Sequence, residues 1–259
     1  AFCTLAIRSR FPLSVMVEDG EVEDNGIERV EAVPAAKKKK KKLKRLACNV
    51  SMCKYKVIKD VLESFGWQLT DHESDWDLFW TDMSVGEERC MKLRKGQKIN
   101  HFPGMQEVAH KCKLARNLNR LRELLPERYD FHPESYNLPV DFSSFEKAAT
   151  SKTKGKANKT FIIKPDDGAC GQGIFLTRKP ASVPPTLKCV AQRYISRPLL
   201  LDGKKFDLRI YVLITSMSPM RAYLAREGLA RLATEDFRPV AEGNMASRFM
   251  HLTNYSVNR

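Results

Sequence analysis

The chain has no Cys-x-x-Cys among its seven cysteines, no apolar run of about 18 residues, and fewer acids than bases, 31 against 45. Each absence excludes something. An odd set of cysteines, at 3, 48, 53, 90, 112, 170 and 189, without metal spacing or neighbouring histidines, argues against a disulfide framework and against zinc; these read as reduced intracellular thiols. Without a long apolar run, and with Arg8 and Arg10 breaking the opening AFCTLAIRSRFPLSVMV, no membrane span is expected and the protein reads as soluble. The opening also lacks a Met, as a fragment or an alternative product would.

What is present is a basic, globular composition. The 259 residues are 42% hydrophobic, enough for two or more domains with their own cores, and the net charge is +14. Residues 1–36 carry seven acids against three arginines, and residues 37–45 carry eight bases. Setting aside both segments leaves about +10 on the body from Leu46, so an acidic partner is implied. Residues 18–36, acidic and poor in large apolar side chains, read as disordered; the lysine run after them reads as a solvated tether or an electrostatic arm. No aromatics interleave those lysines, so nucleic-acid binding is not expected.

From Arg45 to Lys98 the pattern is strand, amphipathic helix (Lys56 to Phe65) and strand (Asp77 to Trp80), a small α/β domain. KINHFPGMQ, from Lys98, is a Pro-Gly-broken connector whose His101 reads as a structural hydrogen-bonder. Glu107 to Leu125 reads as one helix, with Val108, Cys112, Ala115, Leu118, Leu121 and Leu125 on its apolar side. Its other side carries Lys111, Lys113, Arg116, Asn117, Arg120 and Arg122, a solvated cationic face or a docking face for an acidic chain. An extended passage (Pro133 to Pro139), a short helix (Phe142 to Ala149) and a polar loop (Ser151 to Lys159) follow.

The chain is organised around TFIIKPDDGACGQGIFLT, Thr160 to Thr177, which reads as a hairpin with a glycine-spaced tip. Glycines at 168, 171 and 173 let backbone N–H groups approach an anion, and Lys164 stands where phosphate charge needs neutralising. No Gly-Lys-Ser/Thr follows, so this is not a P-loop; a strand follows, so it is not a dinucleotide fingerprint. A strand-loop-strand over phosphates is the device of ATP-grasp enzymes, and the same spacing also suits an ordinary tight hairpin. CVAQRYI, Cys189 to Ile195, is a strand able to offer an adenine edge its backbone, or to be plain core.

In KFDLRIYVLI, Lys205 to Ile214, alternation puts Phe206, Leu208, Ile210, Val212 and Ile214 on one face and Lys205, Asp207, Arg209 and Tyr211 on the other. Charges on a long apolar strand are costly to bury unless partnered, which fits a salt bridge of Asp207 to its two neighbours or a polyanion site that the acid organises. RAYLAREGLARLAT reads as a hairpin turning at Arg226-Glu227-Gly228, with Arg231 placed for a bidentate grip on a carboxylate or phosphate.

IIKP with the GACGQGIF loop, then QRYI, KFDLRIYVLI, REGLARLAT and HLTNYSVN, in that order, resemble the tubulin tyrosine ligase-like family, and within it the polyglutamylases. The likeness covers about residues 38–259 and implies an ATP-grasp fold of the α/β (α+β) class. It implies a tail at 1–44, an N-terminal α/β domain at 45–98, a central ATP-grasp domain at 99–204 and an incomplete C-terminal one at 205–259. It further implies a ligase that uses ATP and Mg2+ to join free glutamate to γ-carboxylates in tubulin's acidic tails through an acyl phosphate. Such a protein is expected as a cytoplasmic monomer on microtubules, with a cilium or basal body among the places implied. The implied nucleotide contacts are Lys164, Gly171, Gln172, Gly173, Ile174, Gln192, Arg193, Tyr194, Ile195, Lys205, Phe206, Asp207, Thr253 and Asn254. Arg209 and Arg231 are the implied catalytic groups, and Arg231, Tyr255 and Ser256 hold the incoming amino acid.

Two departures stand out. The loop tip reads Ala169-Cys170-Gly171-Gln172 where relatives often carry a glutamine and a basic residue, and the family's two metal-binding acidic strands have no counterpart after Lys205. A chain cut short at its C-terminus is therefore expected, with no metal ligands of its own, and a catalytically silent microtubule-binding module is the alternative.

Overall fold

The computed structural model describes residues 45–151 and 159–258. The expected tail over 1–44 and most of the polar loop 151–159 lie outside the described residues. The rest is mixed α/β, in two compact units divided between Gly104 and Met105.

In the first unit, β1 (Ala47–Met52), β2 (Gln68–Thr70), β3 (Leu78–Thr81) and β4 (Lys98–Ile99) form a parallel sheet in the order β2-β1-β3-β4. Helix α1 (Lys56–Ser64) places Leu62 and Ile58 against Cys48, Val50 and Cys53. It ends where the sequence allows a left-handed residue: Gly66 has φ +74°, its N–H donates to Glu63, and Trp67 N–H donates to Leu62, closing the last turn. The short β2 was hidden in the sequence because three residues carry too little periodicity. A five-residue helix α2 (Glu87–Met91) precedes β4, and His101 Nε2 lies 2.9 Å from the Thr81 carbonyl, the structural bond expected of it.

The second unit differs from the expectation at its start. Glu107 to Leu125 is not one helix: α3 (Gln106–Ala109) and α4 (Lys111–Leu124) are broken by an extended His110. The break exists because α4 is capped from a distance. Asp166, in the glycine loop, accepts from the Cys112 N–H at 2.9 Å, and Lys111 Nζ donates to the carbonyls of Asp166 and Gly168. Val108 and Leu125, assigned to the buried side, are exposed.

The central sheet is antiparallel, in the order β5-β8-β6-β7, from β5 (Ser135–Leu138), β6 (Phe161–Pro165), β7 (Phe175–Thr177) and β8 (Cys189–Arg193). Strand β5 occupies the passage expected to be merely extended. Residues alternate strictly. Phe161, Ile163, Cys189 and Ala191 face α5 (Phe142–Thr150), where Phe145 meets Phe161 edge to face at 5.1 Å. Ile162 and Tyr194 take the other face and pack with Leu252, Ile174 and Leu176.

KFDLRIYVLI is two strands, not one. β10 (Lys204–Arg209) pairs with β9 (Leu200–Leu201) and β13 (Leu229–Asp236), while β11 (Val212–Met217) pairs with β12 (Met220–Leu224). Thus β12 and β13 do not form the expected hairpin; the ribbon turns at 217–220, and residues 225–228 bulge opposite Ile210 and Tyr211. The supposed core face is open, with Leu208 55%, Ile210 54% and Val212 59% exposed. Glycine is required at the bulge, because a Cβ on Gly228 would lie 2.6 Å from the Arg209 carbonyl oxygen. The C-terminal segment adds α6 (Arg248–His251) and α7 (Tyr255–Asn258). The six described cysteines form no disulfide, and no described helix is long and apolar enough to cross a membrane.

Gly228→Ala is expected to destabilise this unit by about 1–3 kcal/mol, since backbone must move to admit the methyl group. Urea unfolding of the chain measures it, and an unchanged midpoint would show that the bulge yields freely.

Candidate functional site

The site is built on the face of β6 and β8 that carries Ile162 and Tyr194. Period-2 alternation places Lys164 and Gln192 on this same face, and Lys164 Nζ donates to Gln192 Oε1 at 2.7 Å. Gln192 in turn donates to the Ser135 hydroxyl at 2.9 Å, so the lysine is braced through two strands. Arg193, one residue on, points to the opposite side and lies over the Phe161 ring. The backbone N–H groups of Arg193 and Tyr194 are already given to the carbonyls of Glu134 and Thr160. Ile195 follows half-buried, and so is Phe206 on β10.

Strand β10 contributes Lys205 and Asp207. Lys205 donates to the Tyr194 hydroxyl at 3.2 Å and to the His251 carbonyl at 2.9 Å, and its ammonium sits 4.6 Å from the Tyr194 ring centre. Burial pushes its pKa down to about 8; the nearby Lys164 charge adds to this and Asp207 opposes it. Asp207 does not pair with Arg209 along its own strand. It faces Arg231 across the β10–β13 register and receives Arg231 Nε at 2.7 Å and Nη2 at 2.6 Å, with a third bond from Thr253 Oγ1 at 2.6 Å. Arg209 is half-buried at the end of β10, opposite Leu229.

The glycine loop closes on the C-terminal segment. Gly171 has φ +81°, and a Cβ there would lie 3.1 Å from Val257 and 3.2 Å from Asn254 Oδ1. Ser256 Oγ donates to the Cys170 carbonyl at 2.6 Å and Arg248 to the Gly171 carbonyl at 3.3 Å. Gln172 is exposed, Gly173 is left-handed with φ +66°, and Ile174 joins the apolar cluster under the loop. Tyr255 is exposed. Asp207, Arg231 and Thr253 thus form one bonded group, Lys205 is tied to Tyr194 and His251, Lys164 to Gln192, and Asn254 lies against Gly171, while the Arg193 side chain turns to the other side of the sheet.

Several residues here had escaped the sequence reading. His251, Asp166, Arg248 and Ser135 are placed by contacts from distant segments, and a histidine between Met250 and Leu252 carries no local pattern. His132 is another. It is buried, its Nε2 has no hydrogen-bond partner among the described residues, and burial, with Arg122 and Lys164 adding their charge, pushes its pKa to about 4.

The expected cationic face of α4 is largely engaged within the chain. Lys113 and Arg116 pair with Glu107 at 3.0 and 2.9 Å, Lys111 holds the loop, and Arg122 donates to the Tyr129 carbonyl. Arg120 is exposed.

Residues 89–259 match the Tubulin-tyrosine ligase family. The chain belongs to that family. It is 42% identical over 238 residues to mouse "Tubulin polyglutamylase TTLL6", 92% of this chain and 28% of that protein. It is 43% identical to human "Tubulin polyglutamylase TTLL13" over 86% of this chain and 27% of that one, and 39% identical to human "Tubulin polyglutamylase TTLL7" over 86% and 25%. The chain therefore spans about a quarter of the length of these relatives.

The residues present suit a nucleotide's phosphates: Lys164 and Lys205, from two sheets, act on each other's charge and are braced by neutral partners, in the unit whose loop needs glycine. They do not suit Mg2+. Among the described residues no group of three or more His, Cys, Asp or Glu side chains could hold an ion, and Asp207 is committed to Arg231 and Thr253.

A neutral buried histidine makes stability fall in acid. The unfolded His132 takes up its proton near 6.5 and the folded one only near 4, so the folded state loses stability as the pH falls through that window. Urea midpoints across this range should fall less steeply for His132→Phe than for the parent chain; equal slopes would count against this assignment.

Proposed function

We propose that this chain carries the nucleotide side of an ATP-grasp ligase that adds glutamate to γ-carboxylates of glutamates in tubulin's C-terminal tails. The observation that carries this is the nearness of Lys164 on β6 to Lys205 on β10, close enough for the first charge to lower the pKa of the second, with Asp207 on the Lys205 strand fixing Arg231. The polyglutamylase names of relatives matching most of the chain support the substrate.

Lys164 and Lys205 offset phosphate charge, and the backbone of Gly171, Gln172, Gly173 and Ile174 lies over it. Thr253 and Asn254 reach the nucleotide from the other side. Contacts to the adenine come from Gln192 to Ile195, through groups other than the two N–H donors that the sheet already uses. Bound ATP would supply the phosphoryl group that activates the acceptor carboxylate as an acyl phosphate. Arg209 and Arg231 stabilise the charge that develops there and hold the amino acid's carboxylate, with Tyr255 and Ser256 beside it. The basic body draws in the acidic tail. In the cell this places the protein on microtubules, in the cytoplasm or a cilium.

Lys205 makes the reading testable without turnover. A group with a pKa near 8 is partly neutral at that pH, and a triphosphate favours its charged form. ATP binding near pH 8 should take up protons, seen by calorimetry in buffers of different ionisation enthalpy. The uptake should vanish below about pH 7 and in Lys205→Met. Binding without proton linkage would remove Lys205 from the phosphates.

The same chain, offered tubulin, ATP, Mg2+ and labelled glutamate, should bind ATP yet incorporate little, because its described residues hold no acidic cluster for the metal. Robust incorporation would overturn this. That missing cluster also favours a second reading, a catalytically silent microtubule-binding module. Co-sedimentation that depends on tubulin's acidic tails, with no ATP binding, would select it.

A further inference from the structure

We propose that His251 is a positioning residue: its imidazole, held in one tautomer, fixes the Tyr194 hydroxyl and through it keeps the Lys205 ammonium on the phosphate face. This rests on the nucleotide reading above and goes beyond it, since His251 would act through Tyr194 and not on the phosphates.

The proton positions follow from the partners. His251 is 2% exposed, and its Nε2 lies 2.9 Å from the Asn244 carbonyl, which can only accept. Nε2 therefore carries the hydrogen and Nδ1 is the acceptor. At 2.8 Å from Nδ1, the Tyr194 hydroxyl must donate, and its oxygen then faces Lys205 with lone pairs only. Lys205 gives one N–H to that oxygen and another to the His251 carbonyl, which leaves a third for an anion. Each donation sharpens the next acceptor, so the chain is more rigid than its separate links.

The rings fix the geometry. Tyr194 and His251 meet edge to face at 5.4 Å with planes at 90°, and Phe237 closes the far side of the imidazole at 6.3 Å. The adjoining Met250 is fully buried and anchors α6. Two residues further on, Thr253 binds Asp207, and Asn254 meets Gly171. One short segment thus sets the lysine, the acid and the loop.

Burial and charge keep the ring neutral. The groups facing this chain are Lys164 on β6, Tyr194 just after β8, Lys205 and Asp207 on β10, and Glu235 on β13. A protonated His251 would have no acceptor left for Tyr194 and would stand beside Lys205; burial first, and then Lys205, hold its pKa below the usual value, although the Asn244 carbonyl and Glu235 pull the other way.

The test uses the full chain and two readouts. One is ATP affinity by calorimetry at neutral pH. The other needs no nucleotide: the pH midpoint for labelling Lys205 with an amine-selective reagent, read by mass spectrometry. His251→Phe keeps the ring but removes the acceptor, and Tyr194→Phe removes the middle link. Each should weaken ATP binding about tenfold. Each should also lower the labelling midpoint by about half a pH unit or more, because the ammonium loses an oriented acceptor. The double variant should be no worse than either single one, and His251→Asn, which restores an acceptor near the Nδ1 position, should recover most of both effects. If His251→Phe does not fold, Tyr194→Phe and His251→Asn decide alone. Unchanged midpoints in folded variants, or fully additive losses, would overturn the proposal. A shifted midpoint in a chain that binds no ATP would uphold the positioning role while removing the nucleotide reading.

Discussion

Three hydrogen bonds to one carboxylate hold the candidate site in shape. Asp207 takes a two-pronged grip from Arg231, directly opposite it in the β10–β13 register, and a third bond from Thr253 in the C-terminal segment. Desolvating such a pair is costly, and good geometry with further hydrogen bonds offsets it. This carboxylate has the two-pronged geometry and one such further bond. It ties a strand, its neighbour and the segment after α6 into one unit, so the ribbon and the loop-contacting residues keep a common reference point.

The commitment of Asp207 also sets the sign of the site. Asp207, shared with Arg231, offsets only part of what lowers the pKa of Lys205 on its own strand. Lys164 and Lys205 instead face each other's charge, braced by neutral groups: Gln192 for the first, Tyr194 and a backbone carbonyl for the second. Their like charges oppose each other, which is part of what lowers the Lys205 pKa, and an anion carrying several charges would favour the charged form of both.

The elements legible in the sequence were those whose cause is local. The glycine hairpin, α1 and α5 are fixed by alternation, helical spacing and nearby glycine or proline. What could not be read depended on distant segments. Nothing near His110 breaks a helix; the cap comes from Asp166, across the glycine loop. Alternation in KFDLRIYVLI was real, but which face is buried depends on what packs against it, and Leu208, Ile210 and Val212 stand open. Gly228 was legible as a turn residue, yet its reason is the Arg209 carbonyl beside it. Among residues of the candidate site, Lys164, Lys205, Asp207 and Arg231 were singled out by type and position, while the charged Asp166 and Arg248 were not. Nor was His251, which acts only through Tyr194.

The glycine loop and the C-terminal segment restrain each other. Gly171 is held by conformation and by the closeness of Asn254 and Val257, while Ser256 and Arg248 take the carbonyls at the tip. Those bonds leave the loop's carbonyls turned toward protein donors. Two of the tip's N–H groups are spent inside it as well, Gln172 on the Ala169 carbonyl and Ile174 on the Gly171 carbonyl, so the turn is closed by its own backbone and by the C-terminal segment together. A change at Gly171 would therefore be felt in both, since its carbonyl serves Ile174 and Arg248 at once.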